Sequence, residues 1–438
     1  MRDPDILLIT SSGGSGHLIA AMAIKEALET AQNPRAVMQQ DVSKDWLGTL
    51  FGKIFISIWN TSQIKGWIFM QEIQSFIHPL FSIFLTPSIF FHCFRLLMNY
   101  EFERVIDNQV LGTKAILNAV RLYNWIKKKN LIVEKVLTDL PTDYTAHFFT
   151  EIKSLNRFER TSIEIYAQAP LLYGEMAEIF WKRKTGLDLT QIHIVSPPLR
   201  KAFFSPPLDP KQTVEIPLCI ENEVAKLRLI KASQIHMNPP TFEDSRAKVL
   251  IQPQDLVFTI MLGSHPSKGA LYDYIKGFFN LVKTKEGPVV HIFILSQTGK
   301  WIEKRLVDDL VSQIMSHPLA PKRLRFYPIS RQDDTVVSKL FNRSNATITR
   351  ASGITTMELI QSSLGDVWIH QEIPRSILGL RHHGMVLWEY GNALYLNQKR
   401  GARFVSPQFF EQAFKPYFSN GKEVVVPFQE TPNLSMGY

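Results

Sequence analysis

Residues Ser11 to His17 read SSGGSGH, directly after the apolar run Ile6-Leu7-Leu8-Ile9 and directly before LIAAMAIKEALETA, whose apolar spacing is helical. A strand, a glycine turn and a helix start in that order commit the N-terminus to a βα unit. Glycines let the backbone pass close to a ligand with no Cβ in the way, and a first helical turn offers unpaired N–H groups and the positive end of a dipole. The loop with Gly13, Gly14 and Gly16 therefore reads as a cradle for a phosphate or a polar headgroup. No Lys follows the last glycine, and the spacing is not GxGxxG with an acid about 20 positions on, so neither common nucleotide fingerprint applies. A tight βα turn without a ligand has the same appearance.

Apolar strand-like runs alternate with longer helical patterns along the rest of the chain, for example Ile132–Thr138, Ile192–Ser196, Leu256–Leu262, Val289–Ser296 and Ala346–Thr349. That alternation predicts α/β architecture with parallel sheets. With 438 residues, one ordinary core is not enough, and two domains are expected. A proline-rich, polar stretch starting at Ser205-Pro206-Pro207 separates them. The expected division is 1–205, a linker or insertion over 206–253, and 254–438. Hydrophobic residues make up 45% and charged residues 20%, which excludes wholesale disorder. The net charge of +9 favours an anionic partner. Lys and Arg are scattered without interleaved stacking motifs, so nucleic acid is not the expected one. Cys93 and Cys219 are far apart and form no CxxC, which supports neither a disulfide framework nor a zinc ribbon. The start MRDPDILLIT is not a secretory signal, and cytoplasmic residence is expected.

One stretch departs from this pattern. Ile73 to Phe94 holds no Asp, Glu, Lys or Arg over 22 residues and is rich in Phe. A continuous helix of that length would span a bilayer, but Pro79 and Pro87 interrupt it and His78 and His92 fall within it, so one or two broken apolar helices are expected instead. Lys53, Trp59, Lys65 and Trp67 supply the basic and amphipathic aromatic groups found at a headgroup boundary. Residues of about 49–98 thus read as a membrane-facing, lipid-acceptor insertion, with packing into the N-terminal core as the other reading.

In the second half, ITRASGITTMELI places a small-residue turn between a strand end and a helix that carries Glu358. Downstream stands WEYGNALYL, and upstream stands a further glycine-containing loop, IMLGSHPSKGA at 260–270. With SSGGSGH, VLTDLPTDYTAHF at 136–148 and the exit IHIVSPPLRKAFFSPP, these segments resemble, in order and spacing, the GT-B glycosyltransferases. More narrowly the chain is similar to monogalactosyldiacylglycerol synthases, processive diacylglycerol glucosyltransferases and the N-acetylglucosaminyltransferase that completes lipid II.

The resemblance implies two Rossmann-like domains facing across a cleft, with a nucleotide sugar, of UDP type, bound by the C-terminal one as co-substrate and no cofactor required. It implies that Gly263, Ser264, Gly353 and Thr355 meet the diphosphate, that Glu358 holds the ribose hydroxyls, and that Glu389 and Asn392 contact sugar or phosphate. Ile329, Arg350, Thr356 and Trp388 complete the donor side, Trp388 standing where the relatives have Gln. His17 matches the candidate general base for the acceptor hydroxyl, with Asp139 second, in an inverting transfer that needs no metal. A helix N-terminal histidine satisfied by its own loop is the other reading of His17. Asp333-Asp334 reads as a solvated loop, and His147, His193, His236 and His370 as core or surface residues. The implied acceptor is a membrane lipid or another hydroxyl-bearing molecule, met by a peripheral enzyme on the cytoplasmic face of an anionic membrane. A protein or soluble acceptor with a donor such as GDP-mannose, or a non-catalytic nucleotide-binding relative, are the alternatives.

Overall fold

The computed structural model describes residues 3–11, 15–46, 50–110, 112–138, 140–142, 149–169, 176–233, 240–243, 245–283, 286–296, 302–317, 322–372, 376–377, 380–381 and 384–419. The first half runs β1 (Ile6–Thr10), α1 (Ser15–Glu29), β2 (Val37–Asp41), α2 (Leu50–Ile64), α3 (Ile68–Asn99), β3 (Arg104–Asp107), α4 (Thr113–Lys127), β4 (Val133–Val136), α5 (Thr150–Lys153), α6 (Arg157–Arg160), β5 (Ile163–Ala167), α7 (Ala177–Thr185) and β6 (Ile192–Ile194). Its strands form one parallel sheet in the order β2-β1-β3-β4-β5-β6. β1 is buried at every position, as a parallel strand covered on both faces must be.

A second parallel sheet follows, ordered β12-β11-β10-β13-β14-β17. It is built from β10 (Leu256–Met261), β11 (Val290–Leu295), β12 (Leu324–Ile329), β13 (Ala346–Thr349), β14 (Asp366–His370) and β17 (Arg403–Val405). Helices α9 (Lys268–Leu281), α10 (Ile302–Met315), α11 (Asp334–Arg343), α12 (Gly353–Ser362), α13 (Leu387–Arg400) and α14 (Phe410–Phe414) connect and cover it, and a short hairpin of β15 (Ser376–Ile377) and β16 (Leu380–Arg381) precedes α13.

Between the sheets, β7 (Val214–Cys219), α8 (Glu223–Ser233), β8 (Thr241–Glu243) and β9 (Arg246–Ile251) form a three-stranded antiparallel unit in the order β7-β9-β8. Val214, Ile216 and Leu218 alternate inward and join the core that contains Tyr327 and Leu340 of the second half. Pro217 sits in β7, which is an edge strand paired only with β9, where a missing N–H is tolerated.

Helix α3 continues through both Pro79 and Pro87, which corrects the expectation of broken helices. Each interior proline costs about 3 kcal/mol. Ile89, Cys93 and Leu97 are fully buried, and α3 packs along α4, so burial at roughly 1.5–3 kcal/mol per large apolar side chain is enough to offset that cost. The segment Ile73–Phe94 has two faces: Ile89 and Cys93 are core, as the packing reading expects, whereas Ile83, Phe84 and Phe91 are exposed. Among the described residues, no helix is long and apolar enough to cross a membrane.

Candidate functional site

In an open parallel sheet, ligands bind beyond the carboxyl ends of the strands, where neighbouring connections leave in opposite directions. The first sheet reverses between β1 and β3, because β2 lies on one side of β1 and β3 to β6 on the other. The second reverses between β10 and β13 for the same reason. The sequence-predicted loops stand at these two points: His17 follows β1, Gly263 and Ser264 follow β10, and Arg350 to Gly353 follow β13. Helices α1 and α12, which leave the loops after β1 and β13, pack against each other, with Ala20, Ile354 and Met357 in one core cluster.

At the first point, His17 Nδ1 lies 2.8 Å from the Asn108 carbonyl oxygen and 2.9 Å from Thr138 Oγ1. A carbonyl only accepts, so Nδ1 is the donor, and in the neutral ring the lone pair is on Nε2. The Asn108 Nδ2 donates back to the His17 carbonyl at 2.8 Å, and Thr10 Oγ1 donates to it at 3.1 Å. The half-buried imidazole is therefore fixed in orientation and in tautomer. Its partners come from the segments after β3 and β4 and not from its own loop, and they engage one nitrogen only. A Cβ at Gly16 would meet nothing within 4 Å. Gly13, Gly14, Asp139, His147 and His236 lie outside the described residues. Behind the loop, Lys135 and Asp107 form a buried ion pair at 2.9 Å, with Thr113 Oγ1 on the same ammonium.

At the second point, Gly263 has φ +82°, a left-handed conformation suited to glycine, and a Cβ built there would lie 4.0 Å from Arg350 Cδ. Ser264 Oγ and His265 Nδ1 are 3.1 Å apart. Helix α12 starts at Gly353 with Ser352 in the capping position making no side-chain cap, so its first amides have no side-chain partner there. Thr355 and Thr356 are buried in its first turn. Ile329 is buried at the end of β12, its carbonyl taken by the Ser296 amide and hydroxyl.

Glu358 is completely buried. Arg200, from the segment that leaves β6, donates from Nε to Glu358 Oε1 at 2.7 Å and pairs through Nη1 with Asp334. Burial pushes the Glu358 carboxyl up to about 7, against the opposing pull of Arg200. Glu358 Oε2, Thr356 Oγ1 and Asn392 Oδ1 are all buried without a hydrogen-bond partner. Such orphaned groups are costly, and these, with Gln361 Oε1, lie on α12 and on α13 packed against it.

Asn392 Nδ2 donates to the Ala351 carbonyl at 2.9 Å and so ties α13 to the loop after β13. Glu389 Oε2 accepts from Arg350 Nη2 at 2.9 Å and from Nε at 3.2 Å. Trp388 stacks on Trp59 of α2, with ring centroids 5.8 Å apart and planes 18° apart. Next to them, His370 Nδ1 is 2.7 Å from Tyr274 Oη and its Nε2 is 3.2 Å from Glu372 Oε1. Burial raises the Glu372 carboxyl, but the hydrogen bonds and charge of His370, the Ser267 hydrogen bond and the charge of Arg350 outweigh it and hold the group below the usual range. Gly384, shortly before α13, has φ +73°, and a Cβ there would come within 2.2 Å of the Glu372 carbonyl oxygen.

The structure thus brings together His17, Gly263, Arg350, Gly353, Thr355, Glu358, Glu389 and Asn392 around two switch points, and adds Arg200, Asn108, Gln71 and Glu372, which the sequence did not single out, and Trp59, which the sequence assigned to a headgroup boundary and not to the donor side. Asp333 and Asp334 are corrected from a solvated loop: Asp333 caps α11 by accepting from the Val336 amide and pairs with Arg246 at 2.8 Å. His370 is a hydrogen-bonded core residue, and His193 stacks on Tyr166.

No protein-family model matches the chain, and no curated protein sequence matches it. Among solved structures, TcCGT1 in complex with UDP aligns with a TM-score of 0.50 at 9% identity, over 95% of this chain and 91% of that one. The chain has the GT-B fold. MurG of Acinetobacter baumannii aligns at 13% identity with a TM-score of 0.48, over 98% and 97% of the two chains. The UDP-GlcNAc 2-epimerase of Neisseria meningitidis bound to UDP-GlcNAc aligns at 10% identity with a TM-score of 0.46, over 93% and 90%. This GT-B chain therefore presents two Rossmann-like halves whose switch-point loops carry the polar residues described above.

Proposed function

We propose that this GT-B chain is an inverting glycosyltransferase that moves a hexose or N-acetylhexosamine from a UDP-sugar to a hydroxyl of a membrane lipid. The observation that carries the reading is the coincidence of both switch points with the polar loops, joined by the packing of α1 on α12. The narrower kinship with lipid glycosyltransferases, and a place on the cytoplasmic face of a membrane, belong to the same reading. The acceptor lies against residues 1–205 and the donor against 254–438.

On the donor side, the backbone at Gly263 and Ser264 and the first turn of α12 at Gly353 and Thr355 offer N–H groups to the diphosphate, and Arg350 adds a cation for the charge that grows on the leaving group. Glu358 Oε2, buried and without a partner, is an acceptor for vicinal ribose hydroxyls. Glu389 and Asn392 face the sugar side of the same group of loops. On the acceptor side, His17 Nε2 takes the hydroxyl proton as the acceptor oxygen attacks the sugar C1 from the face opposite the diphosphate. The C1–O bond to the diphosphate breaks, UDP leaves with the electron pair, and the proton stays on the imidazole until solvent removes it. The exposed residues Ile83, Phe84 and Phe91 of α3 supply the apolar surface that a lipid acceptor requires.

The test is to incubate the purified protein with UDP-glucose, UDP-galactose or UDP-N-acetylglucosamine and with vesicles carrying diacylglycerol or polyprenyl-diphosphate sugar acceptors. Release of UDP coupled to a new glycolipid of β configuration from an α-linked donor is expected with one pair. No glycolipid with any pair, from a folded sample that binds UDP, would overturn the lipid acceptor; absence of UDP binding would overturn the donor.

A further inference from the structure

The corner joining α2 to α3 bears on the donor-side residues at three places. Trp59 stacks on Trp388, Gln71 Oε1 accepts from Arg350 Nη2 at 3.2 Å, and Gly66 is so close to Glu372 that a Cβ would meet its carboxyl carbon at 2.8 Å. Between Gln63 and Gln71 on one side and Arg350, Glu372 and Glu389 on the other remains room for about one water molecule. A diphosphate and a sugar do not fit there while the corner is down, and part of the Arg350 guanidinium is spent on Gln71.

The outer face of the same hairpin is apolar. Ile54 and Ile58 are exposed one turn apart on α2. On α3, Phe84, Pro87, Phe91 and Met98 are exposed at positions i, i+3, i+7 and i+14, so they share one stripe, with Phe84 73% and Phe91 66% exposed. Arg95 is exposed on that stripe and Lys65 at the corner. Residues 50–99 hold the basic residues Lys53, Lys65 and Arg95 against the single acid Glu72. An amphipathic helix with an apolar outer stripe and net positive charge suits the surface of an anionic bilayer, lying on it rather than across it. The opposite side of α3 is anchored through Ile89, Cys93 and Leu97, whereas Pro79 and Pro87 lie between that anchor and the corner, where the helix yields most readily to bending.

We propose that the outer face of the α2–α3 hairpin docks on an anionic bilayer, and that docking draws the corner off Trp388, Arg350 and Glu372. The hairpin is then a strap that keeps the donor site shut in solution and opens it at a membrane surface. The inference rests on the donor reading given above and adds its regulation. A bilayer shifts the equilibrium only because it binds the lifted hairpin better than the closed one, and UDP affinity in solution is reduced by the fraction of molecules that are open.

The test is calorimetric titration of UDP into the full chain with and without vesicles of mixed phosphatidylglycerol and phosphatidylcholine, with flotation run in parallel. Vesicles are expected to raise wild-type UDP affinity about fivefold or more. Trp59→Ala and Gln71→Ala, which loosen the strap at separate contacts, are expected to bind UDP at the raised affinity without vesicles. Phe84→Ser/Phe91→Ser is expected neither to float nor to respond. UDP affinity that is equal in both conditions, in wild-type protein that floats, overturns the strap alone. Absence of UDP binding by every variant in both conditions overturns the donor reading and the strap with it.

Discussion

Arg200 and Glu358, separated by 158 residues, meet at 2.7 Å between Nε and Oε1, with Asp334 on the other end of the guanidinium. The pair links the segment leaving the first sheet to the first turns of α12 in the second. Because Glu358 is completely buried, Arg200→Ala leaves its charge without compensation above pH 7, where the carboxyl is ionised, and a loss of about 3–5 kcal/mol of unfolding free energy is expected there. Arg200→Lys keeps the charge but not the fork and is expected to lose less. Urea unfolding of both variants measures it.

The same carboxyl gives a pH signature. Its folded pKa is raised by burial from 4.5 to about 7, so between these values the folded state binds the proton more tightly than the unfolded state. Stability from this group is therefore present below about pH 4.5 and is lost as pH rises through 7, by roughly 3 kcal/mol. Glu358→Gln is expected to flatten that part of the curve. Unfolding free energies of wild type and variant at a series of pH values between these limits, taken as a difference, isolate the effect; parallel curves would refute it.

Trp59 and Trp388 are expected to couple. A double-mutant cycle with alanine at each position should return an interaction of about 0.5–1.5 kcal/mol in unfolding free energy, beyond the sum of the single effects. Additive single effects would mean that the stack contributes nothing of its own.

His17→Ala is expected to lower turnover about 10²- to 10⁴-fold while UDP affinity stays within about twofold, because His17 serves the acceptor side and not the donor side. Steady-state rates together with UDP titration separate the two quantities.

Gly384→Ala forces a left-handed φ of +73° on a residue with a Cβ that would also strike the Glu372 carbonyl. A destabilisation of about 1–3 kcal/mol and a weakened donor site are expected, read by thermal unfolding and UDP titration.

Much of the scaffold was legible because it is local. The run Ile6–Ile9 before three glycines, and Thr349 to Glu358 with its small-residue turn, signal strand, turn and helix within a few residues, and each stands at a switch point. Contacts made by tertiary packing left no such pattern. Nothing in SPPLR announces that Arg200 ends beside Glu358, and nothing around Trp59 announces Trp388. Helix α3 misled through propensity: Pro79 and Pro87 signal interruption, but the buried spacing of Ile89, Cys93 and Leu97 against α4 prevails. In β7 the inward alternation of Val214, Ile216 and Leu218 was present, masked by Pro217 and by the polar residues around it.

A structure of the protein with UDP decides whether these loops form a nucleotide-sugar donor site. Diphosphate oxygens are expected about 3 Å from the backbone amides near Ser264 and Thr355, ribose hydroxyls on Glu358, and the α2–α3 corner displaced from Arg350. UDP bound away from the β10–β13 switch point would refute the donor site, and UDP seated there with the Gln71–Arg350 and Trp59–Trp388 contacts unchanged would refute the strap.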